Sequence, residues 1–452
     1  MNSDSGDHLK NLARRRANGE MPGIYSVCSA HPWVLEAAMR SAIEGNGPLL
    51  IEATCNQVNQ FGGYTGMTPK AFGEYVKSIA VQVGFPLARL LLGGDHLGPH
   101  PWRHLPATKA MKNACDLVAN FVEAGFTKIH LDTNMPCTDD PLPLPDAVIA
   151  ERAAMLAKVA EATAAHDRLR YVIGTEVPPP GGSVEELSVS ITDCAASEQA
   201  LTLHREAFVS ASIGQAWDRV IALVVQPGVE FGHEDVVDYE SSMAHALCAL
   251  LEKHPSLIFE AHSTDYQKPQ AYGELVRDGF AILKVGPALT YAMRQAIFAL
   301  ESIEQRTIQE SDRSRLEETI MRVMTAHPEH WEQHYHGDPL TLRRLMVHSY
   351  SDRIRYYWHF PEITASVSKL VDNLEKTGIP ETLLFDYLPR QYQRVRDSSL
   401  ECSPIPIILD QIVEALEPYK QACQGGGLGG DISGFATLSE VTVETRTSGK
   451  RR

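Results

Sequence analysis

The sequence predicts an α/β protein: a TIM (β/α)₈ barrel with a C-terminal helical extension. Three observations carry that expectation. Eight short apolar runs recur within residues 23–300, and each stops at polar or charged residues, as buried parallel strands do when they deliver side chains to a C-terminal edge. Between most of them lie helix-length amphipathic segments, such as 68–83 and 107–124, so strands alternate with helices as βαβ units require. From about residue 292 to 420 the pattern is helical throughout. A doubly wound sheet is the alternative that such alternation allows. In a barrel, chemistry belongs at the C-terminal strand ends.

The composition bounds the function. A hydrophobic fraction of 44% and a charged fraction of 22% are ordinary for a globular chain. A formal net charge of -16 argues against nucleic acid as a partner, because phosphate backbones call for clustered Lys and Arg. Local phosphate binding through backbone N–H groups stays open. The eight cysteines are scattered without a C-x-x-C pair, which reads as reduced thiols. Met1 to Arg16 lacks the apolar core of a signal peptide, and no run approaches the ~18 apolar residues of a membrane span. The cytoplasm is the expected compartment.

Residues 1–22 read as a polar lead-in closed by Pro22 and Gly23. The barrel is expected over 23–300. Its first run, Tyr25 to Val27, ends in Cys28, Ser29, Ala30 and His31, with Pro32 placed to start a helix. Cys28 and His31 form a candidate nucleophile pair lacking an orienting third group, and a substrate-facing rim is the plainer reading. The second run, Leu49 to Thr54, leads into an amide- and glycine-rich loop, 56–67, in which Asn59 and Gln60 are expected to bond substrate hydroxyls.

The third run, Leu90 to Leu92, stops at Gly93-Gly94 and presents Asp95 beside His96. The fourth ends in His130 and Asp132, which share a strand face. Either pair can ligate a metal or move a proton. The fifth ends at Glu176, a candidate acid, base or ligand, and the sixth leads to Glu230. The seventh ends in the densest polar cluster of the chain, Glu260 to Gln267, and the eighth in Lys284 and Gly286. Barrels commonly bind phosphate on the loops after strands seven and eight, where Ser263, Thr264, Gly286 and Ala288 have suitable chemistry. His130 and Lys284 are expected to face the substrate. A helical extension follows over 301–422, with Arg353 and Arg355 either as candidate phosphate contacts or as part of a charged helix face bound to its own domain, and then a flexible Gly-rich tail over 423–452.

Four strings, Asn56 to Tyr64, Gly93 to Pro99, Gly174 to Pro178 and Glu260 to Gln267, closely resemble the GatZ/KbaZ family. The resemblance runs to about residue 422. It implies tagatose phosphate metabolism under one of three roles: the non-catalytic, stabilising subunit of a class II tagatose-bisphosphate aldolase, a tagatose 6-phosphate kinase, or a tagatose 6-phosphate 4-epimerase. The chain has no G-x-x-x-x-G-K-[ST] loop, which weighs against the kinase, and no G-x-G-x-x-G turn, which weighs against transient oxidation by a dinucleotide.

A 4-epimerase without a redox cofactor is then expected to cleave the bond between C3 and C4 by retro-aldol chemistry and re-form it on the other face of the aldehyde. By analogy with class II aldolase strand ends, His96 and His262 would ligate a divalent metal, zinc or manganese, and Asp95 would exchange the proton of the C4 hydroxyl. The third aldolase histidine has no match, so either Glu230 or Glu176 replaces it or the metal site is lost. Asp132 and Glu176 are further catalytic candidates. The expected activity is interconversion of D-tagatose 6-phosphate and D-fructose 6-phosphate, with the aldolase subunit as the alternative. Expected partners are a phosphorylated ketohexose and, by the same resemblance, a class II aldolase catalytic subunit or further copies of this chain.

Overall fold

The computed structural model describes residues 5–164, 167–175 and 189–424. Glu176 and the glycine-rich tail lie outside them. The strands are β1 (Ile24–Val27), β2 (Leu49–Thr54), β3 (Leu90–Leu97), β4 (Lys128–Leu131), β5 (Arg170–Ile173), β6 (Val220–Val224), β7 (Glu230–Phe231), β8 (Val236–Val237), β9 (Ile258–Ala261) and β10 (Phe280–Val285). All but β7 and β8 pair in parallel in the order β1, β2, β3, β4, β5, β6, β9, β10, and β10 returns to β1, with Ile24 opposite Ile282 and Val27 opposite Val285. The sheet closes, so the architecture is the eight-stranded barrel and not the doubly wound alternative. Apart from Thr54, every residue of these eight strands is buried. That double-sided burial is why the strands read as unbroken apolar runs.

The N-terminal segment differs from its polar reading. Helix Ser5–Ala17 places Leu9, Leu12 and Ala13 on one stripe, packed against Ile24, Leu50, Leu91, Ile221 and Ile282 at the N-terminal end of the barrel. Three apolar residues at helical spacing suffice to plug the barrel floor, although the helix is polar overall.

After β10 the described chain is helical. Helix Pro404–Cys423 packs against helices Pro32–Ile43, Pro269–Arg277 and Pro287–Thr307, and Tyr419 Oη donates to Thr264 O over 2.9 Å. The segment before it crosses the C-terminal mouth. Tyr266 Oη donates to Tyr350 O at 2.7 Å, and the buried Asp352 carboxylate accepts from Thr290 Oγ1 at 2.7 Å and pairs with Arg294 at 3.3 Å. These contacts fix Arg355 and Tyr356 over the strand ends. No helix among the described residues is long and apolar enough to cross a membrane.

Candidate active site

Strand β3 sets the site because its glycines let neighbours in. A Cβ on Gly93 would lie 2.3 Å from Glu52 Oε1, so this glycine admits a carboxylate from β2 into the barrel. A Cβ on Gly98 would lie 1.6 Å from the carbonyl oxygen of Asp132, which brings the ends of β3 and β4 together. Between them the pairing with β4 shifts register, and His96 takes the left-handed conformation at φ 50°, uncommon for a side chain of this size.

The deeper polar layer is a closed ion network. Lys128 Nζ lies 2.7 Å from both Glu52 Oε1 and Glu260 Oε2. Lys284 Nζ pairs with Glu52 and lies 2.9 Å from Asp95 Oδ1, and Ser26 Oγ donates to Glu52 Oε2 at 2.6 Å. Burial alone would raise the Glu260 carboxyl, but the two ammoniums hold it well below the usual carboxylate range. Burial would lower both lysines, yet the carboxylates keep them above their ordinary value.

Above this layer stand three imidazoles. His96 Nδ1 lies 2.7 Å from Asp132 Oδ2, His262 Nε2 lies 3.0 Å from Glu260 Oε1, and His130 Nδ1 lies 2.9 Å from Asp95 Oδ1. Each ring is braced through one nitrogen. Among the described residues, the buried His130 Nε2 has no hydrogen-bond partner. Asp95, His96, His130 and His262 each offer a ligand atom within 4.8 Å of the others. Burial holds His262 down to about 4, so its ring is neutral at physiological pH. Burial opposes a charge on His96 too, but Asp95 and Asp132 raise it above the ordinary imidazole range, while His96 and Lys284 hold Asp95 well below the usual carboxylate range.

These donors fit a divalent cation. Imidazoles oriented by carboxylates are the usual ligands of catalytic zinc and related metals. Four carboxyl groups, Asp95, Asp132, Glu52 and Glu260, also face only two ammoniums, so the cluster's charge favours a cation at its centre. A second group, Cys28, Glu52 and Asp95, has comparable spacing, but there the Lys284 ammonium already supplies the positive charge.

The structure gathers some expected residues and separates others. His130, expected to face substrate, joins the ligand group. Glu230 stands outside it, on the β7–β8 ribbon, where its Oε1 accepts from Phe231 N at 3.0 Å. Asn59 is turned into its own loop, donating to Cys55 O at 3.0 Å and accepting from Phe61 N and Gly63 N, and Gln60 donates to Asn113 O at 2.9 Å. Asn56 and Gln57 line the cavity in their place. The Thr264 hydroxyl donates to Lys284 O at 2.6 Å. The N–H groups of Gly286 and Ala288 go to Asp265 Oδ1 at 3.0 and 2.8 Å. His31 Nδ1 caps a helix at Trp33 N, and burial keeps the Cys28 thiol protonated, so that pair is not an activated nucleophile.

The cavity above the histidines has about 700 Å³, open mouth included, and is lined by Asp95, His96, His262, Lys284, Ser263, Tyr64, Arg355 and Tyr356 among others. Tyr64 and Tyr356 meet edge-on at 4.9 Å between ring centroids, so the β2 loop and the helical extension close over it together. Lys128 and Glu52 were not singled out by the sequence, and Glu260 stood out only as the start of a polar cluster. A charge inside an otherwise apolar barrel strand is the signal that marks them.

Fold and site define a (β/α)₈-barrel protein with a carboxylate-braced histidine cluster at its C-terminal mouth, an arrangement suited to metal-assisted chemistry on a small polar ligand. The chain belongs to the GatZ/KbaZ-like family, described as D-tagatose-1,6-bisphosphate aldolase subunit GatZ/KbaZ-like, which it matches over residues 9–424. It is 47% identical to a protein of known structure from Sinorhizobium meliloti 1021 described as a probable tagatose 6 phosphate kinase; the match covers 89% of this chain and 100% of that one, with a TM-score of 0.83. A fructose-bisphosphate aldolase from Campylobacter jejuni matches at 12% identity over 85% of this chain and 94% of its own, with a TM-score of 0.46. That likeness is too slight to inform the site.

Proposed function

We propose that the protein is a sugar-phosphate epimerase interconverting D-tagatose 6-phosphate and D-fructose 6-phosphate at C4 by retro-aldol chemistry. The observation that carries this reading is the group Asp95, His96, His130 and His262: three braced imidazoles and an ionised carboxylate, of which Asp95, His96 and His262 line one cavity. The family's description and that of the Sinorhizobium relative both name tagatose phosphates. A purely stabilising subunit gains nothing from a buried imidazole nitrogen that has no partner among the described residues, which costs stability unless function requires it.

A divalent cation held by His96, His130 and His262 would supply Lewis-acid stabilisation of the charge that develops on the ketose oxygens. Asp95 takes the proton of the C4 hydroxyl as the bond between C3 and C4 breaks. The bonding electron pair stays with the three-carbon enediolate fragment, and the other fragment becomes an aldehyde. After the aldehyde turns its opposite face, the bond re-forms and Asp95 returns the proton to the new C4 oxygen. Lys284, 2.9 Å from Asp95, keeps that carboxylate ionised between turnovers. Asp132 and Glu260 fix the orientation of His96 and His262. Tyr64 and Tyr356 cover the cavity and keep the aldehyde from escaping.

The family's description favours one other reading, a non-catalytic subunit that stabilises a class II aldolase catalytic subunit. Incubating the purified protein alone with D-tagatose 6-phosphate, with and without divalent metal, separates the two. Metal-dependent appearance of D-fructose 6-phosphate by NMR, without accumulation of triose phosphate, is expected. No turnover with any divalent metal would sink the epimerase and leave the subunit role.

A further inference from the structure

We infer that the barrel holds a single ligand phosphate, on Arg355, and that Asp265 permanently fills the place where a second phosphate would sit. The inference rests on the sugar-phosphate reading above and names which phosphorylated sugars the site accepts. Loops after the last two strands of a barrel bind phosphate through backbone N–H groups at a helix start. Here the amides of Gly286 and Ala288, at the start of helix Pro287–Thr307, donate 3.0 and 2.8 Å bonds to Asp265 Oδ1. Asp265 is 3% exposed and its loop is tied down on both sides, by Thr264 to Lys284 O and by Gln267 Nε2 to Val237 O. An incoming phosphate would meet both an occupied cradle and a like charge.

Arg355 offers the opposite arrangement on the same cavity. Its guanidinium donates to Ser351 O, to Asp352 O at 3.0 Å and to Tyr356 Oη at 2.9 Å. Among the described residues no carboxylate oxygen lies within 4.0 Å of it. Those three bonds use both Nη1 hydrogens and one on Nη2, leaving Nε–H and the second Nη2 hydrogen. These two neighbouring donors form the fork that grips two phosphate oxygens. In a chain of net charge -16, a largely enclosed arginine without a carboxylate partner is what an anionic ligand completes. Arg355 also lines a second cavity, of about 1250 Å³ with its mouth, which shares Cys28, Gln57, Tyr64 and Gly286 with the first. The phosphate therefore sits at the junction, and the sugar carbons run from it toward the histidines. Ketohexose monophosphates fit this plan and 1,6-bisphosphates do not.

Calorimetric titration of the full chain with D-tagatose, D-tagatose 6-phosphate and D-tagatose 1,6-bisphosphate tests it without relying on turnover. The monophosphate is expected to bind at least ~10-fold more tightly than the free sugar, and the bisphosphate no more tightly than the monophosphate. R355M should erase the monophosphate's advantage over free sugar, and R355K, which keeps a charge but not the fork, should retain part of it. D265A, but not D265N, should gain bisphosphate affinity by ~10-fold or more. An advantage undiminished in both Arg355 variants, or a wild-type protein that prefers the bisphosphate, would overturn the inference. If this binding pattern holds while D-tagatose 6-phosphate is never turned over, the epimerase reading fails and the phosphate assignment stands; turnover with an R355M protein that keeps the full phosphate advantage has the reverse meaning.

Discussion

Two polar layers share the inside of this barrel, and they differ in how their ionisable groups are paired. Lys128 and His130 lie two residues apart on β4, and Glu260 and His262 two apart at β9, so each strand contributes one residue to each layer. In the lower layer every charge meets an opposite charge: Lys128 reaches Glu52 and Glu260, and Lys284 reaches Glu52 and Asp95. In the upper layer each imidazole is braced on one side, and His130 Nε2 has no partner among the described residues on the other. A charge-paired network holds a structure together, whereas imidazoles braced on one side only, just above it, are poised to bind something. The contrast is more informative than the number of ionisable groups in either layer.

The contrast is broken most severely from below. K128M would leave Glu52 and Glu260 with Lys284 as their one remaining cation in a fully buried site, and removing one partner of a buried pair typically costs ~3–5 kcal/mol. Urea titration should show that loss, and a variant as stable as the wild type would mean that the lower layer is not structural. H130A acts on the other layer. It removes the Nδ1 contacts with Asp95 Oδ1 and the His96 N–H as well as the unpartnered Nε2, so some stability should be lost, while turnover and bound metal, measured by NMR and elemental analysis, should fall by more than the ~10–100-fold that outer-shell partners cost. An H130A protein that keeps both would show that the site works without this histidine.

The layers were unequally legible in the sequence. The eight barrel strands stood out because double burial leaves apolar runs with polar ends, and the residues at those ends, Asp95, His96, Asp132 and His262, converge as the βαβ rule requires. The lower layer was hidden because its pairs join residues 76 and 232 positions apart, and nothing local announces that Glu52 meets Lys128 or Lys284. Strand parity already put His130 beside Asp132, which was enough to make it a ligand candidate. Glu230 was misplaced because two-residue strands such as β7 and β8 carry no period to read. Asn59 and Gln60 were preferred over Asn56 and Gln57 because an irregular loop decides orientation residue by residue. The Asp265 plug was invisible for the same reason, since it depends on the approach of two loops.

A buried glutamate elsewhere sharpens the electrostatic side of the comparison. Glu301, in the extension, accepts two 3.2 Å contacts from the Glu317 N–H but has no cation beside it, and burial raises it from 4.5 to about 7. Glu260, held between two lysines, moves the opposite way. Because the folded state prefers Glu301 protonated, its contribution is fully present below pH 4.5 and is lost as pH rises through about 7. The loss is on the order of 2–3 kcal/mol. E301Q keeps an acceptor without the charge, so the difference in unfolding free energy between variant and wild type should grow in the variant's favour from pH 5 to pH 8. A difference that does not change with pH would show that Glu301 is not desolvated as its burial implies.

The smallest expected effect tests whether bracing by itself matters. D132N leaves all four candidate ligand atoms in place and changes only what His96 Nδ1 meets. Asp132 accepts the Nδ1 proton, which leaves the lone pair on Nε2, the nitrogen that lies 3.7 Å from Asp95 Oδ2 and faces the cluster. An asparagine can present its amide N–H instead, which stabilises the other tautomer and turns a ligand nitrogen into an N–H donor. Metal affinity, measured by competition with a chelator, should fall by ~10–100-fold, with stability changed by no more than ~1 kcal/mol. An unchanged affinity would mean that the ring is held by the strained backbone at φ 50° alone, and that the upper layer owes its geometry to β3 and not to its carboxylates.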